Sequence, residues 1–146
     1  MEYRKNGNRI VLRLARGEEV IASLAALQRE LSIGAASVAG IGATDDATVG
    51  VYAVGERRYH ARQLTGDMEI TALVGNLSMQ DGKPYQHLHV TLAGMDGNAL
   101  GGHLNRAVIS ATAEIFITVV DCPIGRRYDD ETGLNLMTFA EENEES

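Results

Sequence analysis

The sequence predicts an α+β fold, a two-layer α/β arrangement in which one principal helix covers a twisted, mainly antiparallel β-sheet. One observation is a single segment with helical periodicity, residues 18–31. The other is a series of short apolar segments with strand-like alternation, separated by turn residues, that continues almost to the end of the chain. A parallel βαβ repeat would need several such helices. The length of 146 residues suits one domain.

The predicted elements follow one another in a simple order. Ile10, Leu12 and Leu14 alternate with other residues and predict the first strand. The helix comes next, with Gly17 as its predicted N-cap and Gly34 as its predicted end. Strands make up most of what remains, with turns predicted at Asp45-Asp46, Gly55-Glu56, Thr65-Gly66-Asp67, Gln80-Asp81-Gly82 and Asp96-Gly97.

Composition and charge restrict the possible functions. The formal net charge of -7 disfavours binding to a polyanion unless basic residues gather on one face. Cys122 is the only cysteine, so no intrachain disulfide forms and a reducing compartment is expected. The N-terminal segment lacks the apolar stretch of a secretory signal, and no apolar run is long enough to span a bilayer. We therefore expect a cytoplasmic protein without a membrane anchor.

Three of the four histidines lie close together, in the segment HLHVTLAGMDGNALGGH. Strand alternation sets His87 and His89 on one face and the aliphatic residues between and after them on the core face. The Asp96-Gly97 turn should then return the chain and bring His103 near the pair, with Gly101 and Gly102 removing side-chain bulk just before it. Three neutral imidazoles with an open fourth position are typical of a zinc site.

A simpler interpretation of these histidines is that they are polar residues on the solvent side of a sheet. His60, in a separate segment, is predicted to be an exposed strand residue. Cys122 lies beyond the last long strand, and we expect a buried or edge thiol rather than a fourth metal ligand.

The segment GNLSMQDGKPYQHLHVTLAGMDGNALGGHL, followed by ATAEIFI, resembles the plant and prokaryote conserved (PPC) domain family. The likeness extends over nearly the whole chain, so we expect a PPC-like domain over residues 1–137 and an acidic, disordered tail over residues 138–146. The resemblance implies an α/β fold on a twisted antiparallel sheet and assembly into a homotrimer.

The same resemblance raises the question of DNA binding. In plant members the domain accompanies AT-hooks, short basic arms that enter the minor groove. This sequence has no Arg-Gly-Arg-Pro arm. Any affinity for DNA is therefore expected to be weak and indifferent to AT content.

Plant relatives also carry a Gly-Arg-Phe-Glu-Ile-Leu segment that is tied to partner contacts. The corresponding residues here are 66–71, GDMEIT, in which the arginine is replaced by Asp67. Partner identity therefore does not carry over. Glu69 faces opposite its neighbours in the strand and is a candidate for a subunit contact, for a group that supports the histidine cluster, or for a solvent-facing carboxylate.

Three hypotheses of function follow. The leading one is a non-catalytic, trimeric protein that binds zinc or another divalent metal at His87, His89 and His103 and serves as a regulatory or interaction module. The second is a metal-dependent enzyme on a small molecule, with Glu69 as general base beside a metal-bound water. The third is direct DNA binding, which would require a basic face formed by Arg57, Arg58, Arg62, Arg126 or Arg127.

Overall fold

The computed structural model describes residues 1–122 and 124–139. One α-helix and eight strands make up most of this part of the chain, together with a short 3-10 turn at Val54–Glu56. The helix is α1, Val20–Leu31. The strands are β1 Glu2–Asn6, β2 Arg9–Ala15, β3 Ala36–Ala53, β4 Arg58–Gln80, β5 Lys83–Gly94, β6 Ala99–Val119, β7 Ile124–Asp129 and β8 Leu134–Phe139.

Six strands form one sheet in the order β1-β2-β6-β3-β4-β5, and every neighbouring pair is antiparallel. The first part of β6 also pairs with β5, so strands β3 to β6 form a closed circuit. β7 and β8 form a separate hairpin. The predicted fold class, a mainly antiparallel twisted sheet with one principal helix, is confirmed.

The core lies between α1 and the concave side of the sheet. Alternation in β2 buries Ile10, Leu12 and Leu14, each at most 1% exposed. The helix contributes Val20, Leu24 and Leu27, which are fully buried. α1 packs against β5 and β6. The helical stripe and the strand alternation in the sequence therefore meet in one apolar core.

The last residue of the helix, Leu31, agrees with the predicted segment 18–31, but the predicted residues at its two caps were wrong. Glu19, not Gly17, is the N-cap, because its carboxylate accepts hydrogen bonds from the N–H groups of Ile21 and Ala22. At the other end Ser32, not Gly34, adopts the left-handed conformation, with φ 52°. A charged side chain that reaches two backbone donors can replace the preferred small N-cap residues.

Two of the predicted turns are also wrong. β3 runs through Asp45-Asp46 and β4 runs through residues 65–67, and both strands pass these points with local irregularities instead of reversing. The pairing of β3 with β4 shifts register between Thr44 and Asp46. A β-bulge places turn-forming residues inside a long bent strand, which short-range signals do not distinguish from a hairpin.

The side of the sheet that faces away from α1 carries a row of exposed apolar side chains. Val11 pairs with Phe116, Phe116 with Ala39, and Ala39 with Val74. Val11, Val74 and Phe116 are 45%, 51% and 60% exposed. We call these four residues the apolar row.

Several predictions concern the last part of the chain and the membrane. Thr138 and Phe139 belong to β8, whereas residues 140–146 of the predicted acidic tail lie outside the described residues. Cys122 is exposed, so of the two predicted alternatives, a buried or an edge thiol, the buried one is wrong. Among the described residues, no helix has the length and apolar character needed to cross a bilayer.

Candidate metal centre

Two neighbouring strands carry the three histidines. His87 and His89 lie on β5 and His103 on β6. His89 is the register partner of His103, so these two side chains are directly opposite on the same face. Leu88, next to both β5 histidines, is fully buried on the other face, as the alternation predicts.

The predicted turn at Asp96-Gly97 is confirmed and fixes the register of these strands. Asp96 Oδ1 accepts a hydrogen bond from the Asn98 N–H at 3.0 Å, and the Gly94 N–H donates to the Asn98 carbonyl at 3.2 Å. Gly97 has φ 76°, a conformation that glycine adopts at little cost. The turn therefore sets which β6 residue stands opposite His89.

Gly101 and Gly102 allow the strands to pack closely. They were predicted instead to leave room for the imidazole of His103. A Cβ atom on Gly101 would lie 2.4 Å from the Val90 carbonyl oxygen, and one on Gly102 would lie 2.6 Å from that of Gly50. The two glycines therefore allow β6 to fit between β5 and β3 just before His103.

We expect Gly102→Ala to lower the free energy of unfolding by about 1–3 kcal/mol, because the added methyl group forces β6 away from Gly50. Zinc affinity should fall as well, since the displaced backbone carries His103. Urea unfolding and zinc titration of the same sample measure both effects. Gly34→Ala is the matched control, since no atom lies within 4 Å of its added Cβ. Equal stability of the two variants would contradict the packing role.

The three imidazoles form one compact group. Their ring centroids are 5.3, 5.4 and 5.8 Å apart, and one ligand nitrogen from each ring lies within 4.8 Å of the others. His87 and His103 are half-buried and His89 is exposed. Within residues 1–122 and 124–139, none of these rings makes a hydrogen bond to the protein. Their nitrogens are therefore available to a ligand.

The surroundings of two of the rings favour the neutral form of the imidazole. Burial lowers the pKa of His87, and the positive charge of Arg126 and the other two histidines lower it further. Burial and then His89 lower the pKa of His103. A neutral imidazole has the free lone pair that a metal needs, so these pKa shifts favour metal binding at neutral pH.

A cavity of about 470 Å³ opens directly onto the histidines. One side is formed by the sheet and the other by the β7–β8 hairpin. Tyrosine and aliphatic side chains dominate its wall. The lining residues are Gly50, Val51, Tyr52, Tyr59, Tyr85, His87, His89, Gly102, His103, Arg126, Leu134, Asn135, Leu136 and Met137.

Arg126 attaches the hairpin to the sheet. Its guanidinium donates to Ser78 Oγ at 3.1 Å, to Asn76 Oδ1 at 2.7 Å and to the Asn135 carbonyl at 3.3 Å. It also lies over the ring of Tyr85, 4.9 Å from the ring centroid. Sequence reasoning considered this arginine only for a basic DNA-binding face and missed the cavity. The alternation of Leu134 and Leu136 next to the turn residues was the available signal for this hairpin.

The other candidate residues lie elsewhere. Glu69 lines a different cavity, of about 250 Å³, with Ala43, Ala93 and Ser110 among its neighbours, and the structure does not bring it to the histidines. His60 is exposed, as predicted, and its Nε2 lies 3.0 Å from Glu56 Oε2.

The donor set fits a zinc-like ion. Three imidazole nitrogens that lie within 4.8 Å of one another on a pair of neighbouring strands could hold such an ion and leave a further position open to the cavity. Histidine ligands without a carboxylate favour zinc and later first-row metals over Mg²⁺ or Ca²⁺. The chemistry of these residues therefore fits an open transition-metal site.

Solved structures of known proteins resemble this fold over almost its full length. A candidate DNA-binding protein from Bacteroides thetaiotaomicron is 31% identical, with a TM-score of 0.91, and the match covers 94% of this chain and 96% of that one. A metal-containing protein from Archaeoglobus fulgidus is 34% identical, with a TM-score of 0.83 and the same coverage. A plant- and prokaryote-conserved protein from Pyrococcus horikoshii is 28% identical, with a TM-score of 0.84 and 97% coverage of both chains.

The family comparison agrees with these structures. Comparison of the sequence with functionally curated proteins found no match. The model of the Plants and Prokaryotes Conserved (PCC) domain matches residues 1–121, which include all three histidines of the cluster. The chain therefore belongs to the Plants and Prokaryotes Conserved domain family.

Proposed function

We propose that the protein binds one zinc-like divalent ion through His87, His89 and His103 and acts as a ligand-binding module in a homotrimer. The observation that carries the metal proposal is the convergence of three imidazole nitrogens within 4.8 Å at the mouth of a cavity. The relative from Archaeoglobus fulgidus, described as metal-containing, supports it.

A binding role has more support than catalysis. The enzymatic hypothesis uses a carboxylate as general base within hydrogen-bond reach of a metal-bound water. The wall residues of the cavity include no aspartate or glutamate among the described part of the chain. Glu69, which the enzymatic hypothesis would use as base, lines another cavity.

Direct DNA binding has less support than metal binding, although the Bacteroides relative is named for it. DNA binding requires, on one face, arginines whose guanidinium groups are not already bound to other parts of the protein. Arg57 donates to the carbonyls of Asp130 and Glu131, and Arg126 is bound to the sheet beneath the hairpin. The net charge of -7 also opposes a nucleic acid.

The homotrimer proposal rests on the family and on the apolar row. A continuous line of exposed apolar side chains is unusual on a monomer and typical of an interface. Val74 is the register partner of His89, so the proposed contact surface adjoins the metal site. Subunit association would therefore take place next to the proposed ion.

Sedimentation equilibrium at micromolar concentration should give about three times the chain mass of 15.7 kDa. Phe116→Asp should shift the protein toward the monomer, because it sets a charge in the apolar row. Tyr128→Asp, at a comparably exposed residue of the hairpin, should leave the trimer intact. A monomeric wild-type protein would contradict the proposal.

Metal analysis of protein purified without an affinity tag tests the site itself. We expect about one zinc-like ion per chain after incubation with zinc and removal of the excess. The tag must be absent because its histidines would bind the same metals. Protein that retains no metal, or that binds it without involvement of the cluster, would overturn the proposal.

Zinc affinity should decrease as the pH falls, because protons compete for the ring nitrogens. Burial first, and then neighbouring positive groups, lower the pKa values of His87 and His103, so protons compete less for these rings than for an ordinary imidazole with a pKa of about 6.5. The main loss of affinity should therefore occur below about pH 6.5. Competition with a chromophoric chelator over a pH series measures it. A loss centred above that value would be inconsistent with neutral, partly buried ligands.

A further inference from the structure

The cavity beside the histidines has a positive side chain in its wall and no negative one among its described residues. None of its fourteen lining residues is Asp or Glu, although the chain contains 20 acidic residues and only 13 basic ones. A positive ion at the histidines would add to the charge of Arg126. An anion that enters the cavity would meet attraction from both sides.

Arg126 differs in its partners from the arginines that form ion pairs. Arg13 and Arg106 form ion pairs with Glu2 and Asp46, and both arginines are well exposed. Arg126 is half-buried, yet all its hydrogen-bond partners within the described residues are neutral. A partly buried charge is costly when no opposite charge balances it.

Attachment of the hairpin explains only part of this arrangement. The three hydrogen bonds of Arg126 use three of the five N–H groups of a guanidinium. These hydrogen bonds account for the position of Arg126. They do not explain why a positively charged side chain lines the cavity. The remaining N–H groups are available to a planar acceptor such as a carboxylate, which a guanidinium recognises well.

The other side chains of the cavity wall indicate the chemistry of the part of the ligand that lies beyond the carboxylate. Tyr52, Tyr59 and Tyr85 supply ring surface, and β8 supplies Leu134, Leu136 and Met137. A cavity of about 470 Å³ has the size of a small-molecule site. Inorganic phosphate could pair with Arg126 but would leave this apolar wall uncovered.

We propose that the cavity binds a small molecule that has a carboxylate on a ring-bearing or aliphatic body, with the carboxylate held by Arg126 at the side of the histidine cluster. This ligand class refines the proposed function, and it rests on the metal site only for the additional attraction that a bound ion supplies. Arg126 and β8 lie beyond residues 1–121, which the family model matches. The ligand preference is therefore contributed largely by a segment outside the part that defines the family.

Benzoate and its neutral analogue benzamide provide the test, by calorimetry or ligand-observed NMR. Each is titrated into zinc-loaded and into chelator-treated protein, while bound zinc is measured separately. We expect benzoate to bind at least about tenfold more tightly than benzamide, because a hydrogen-bonded charge pair replaces a neutral contact. Zinc should tighten benzoate binding further.

Two matched variants locate the effect. In chelator-treated protein, Arg126→Gln should remove the preference for benzoate, whereas Arg127→Gln, at the exposed neighbour in the same strand, should preserve it. If Arg126→Gln loosens the hairpin, the comparison of the two ligands on the wild-type protein still decides the matter.

The outcomes separate the two proposals. Preference for benzoate in a protein that binds no zinc would support the carboxylate site and overturn the metal site. Stoichiometric zinc with equal affinity for benzoate and benzamide would support the metal site and overturn the carboxylate site. A benzoate preference that survives in a folded, chelator-treated Arg126→Gln variant would also overturn it.

Discussion

His89→Ala is expected to abolish stoichiometric zinc binding. Substitution of groups that merely orient a metal ligand typically costs 10–100-fold in affinity, so loss of one of three ligands should cost at least about 100-fold. The fold should persist, because His89 is exposed and its side chain points away from the core row of β5. Zinc titration against a chelator of known affinity, with circular dichroism as a check on folding, measures both.

The matched control for this substitution is His60→Ala. His60 is an exposed strand histidine whose ring makes its one side-chain hydrogen bond within the described residues to Glu56. This variant should bind zinc as the wild type does. Zinc that stays bound after substitution of each of the three clustered histidines would mean that the cluster is structural and the ion lies elsewhere.

Leu88→Ala, one residue away, should instead destabilise the fold. Leu88 is fully buried, and truncation of such a side chain costs about 2–5 kcal/mol through lost burial and the cavity left behind. Urea unfolding of the metal-free protein at fixed concentration measures this loss. Metal-free His89→Ala should change stability by no more than about 0.5 kcal/mol. Similar losses for both variants would show that the two faces of β5 are not distinct.

The fold class and the grouping of the histidines could be predicted because both depend on short-range periodicity. Burial of Leu88, Val90 and Leu92 follows from alternation, and the same alternation sets His87 and His89 together. The Asp96-Gly97 turn has a strong local signal, so the return of His103 was also predictable. Whether the grouped rings bind metal stays a prediction.

The features that the sequence did not predict depend on contacts between distant residues. Thr44 and Asp46 resemble a turn locally, but pairing of β3 with both β4 and β6 keeps them in a bent strand. Glu19 replaces Gly17 as the N-cap because its carboxylate reaches the helix N-terminus and also accepts from the Ala107 N–H at 3.1 Å. Arg126 faces the cavity only because the hairpin folds back over the sheet.

The turn between β5 and β6 controls the composition of the site from a distance. Side chains alternate between faces with a period of two, so a slip of one residue in this pairing would move His103 to the core side and bring Gly102 or Leu104 opposite His89. A single insertion among residues 95–98 would therefore change the ligand set without altering any ligand. Loop length at this hairpin is thus part of the chemical definition of the site, and sequences that retain all three histidines but differ there need not share the proposed metal binding.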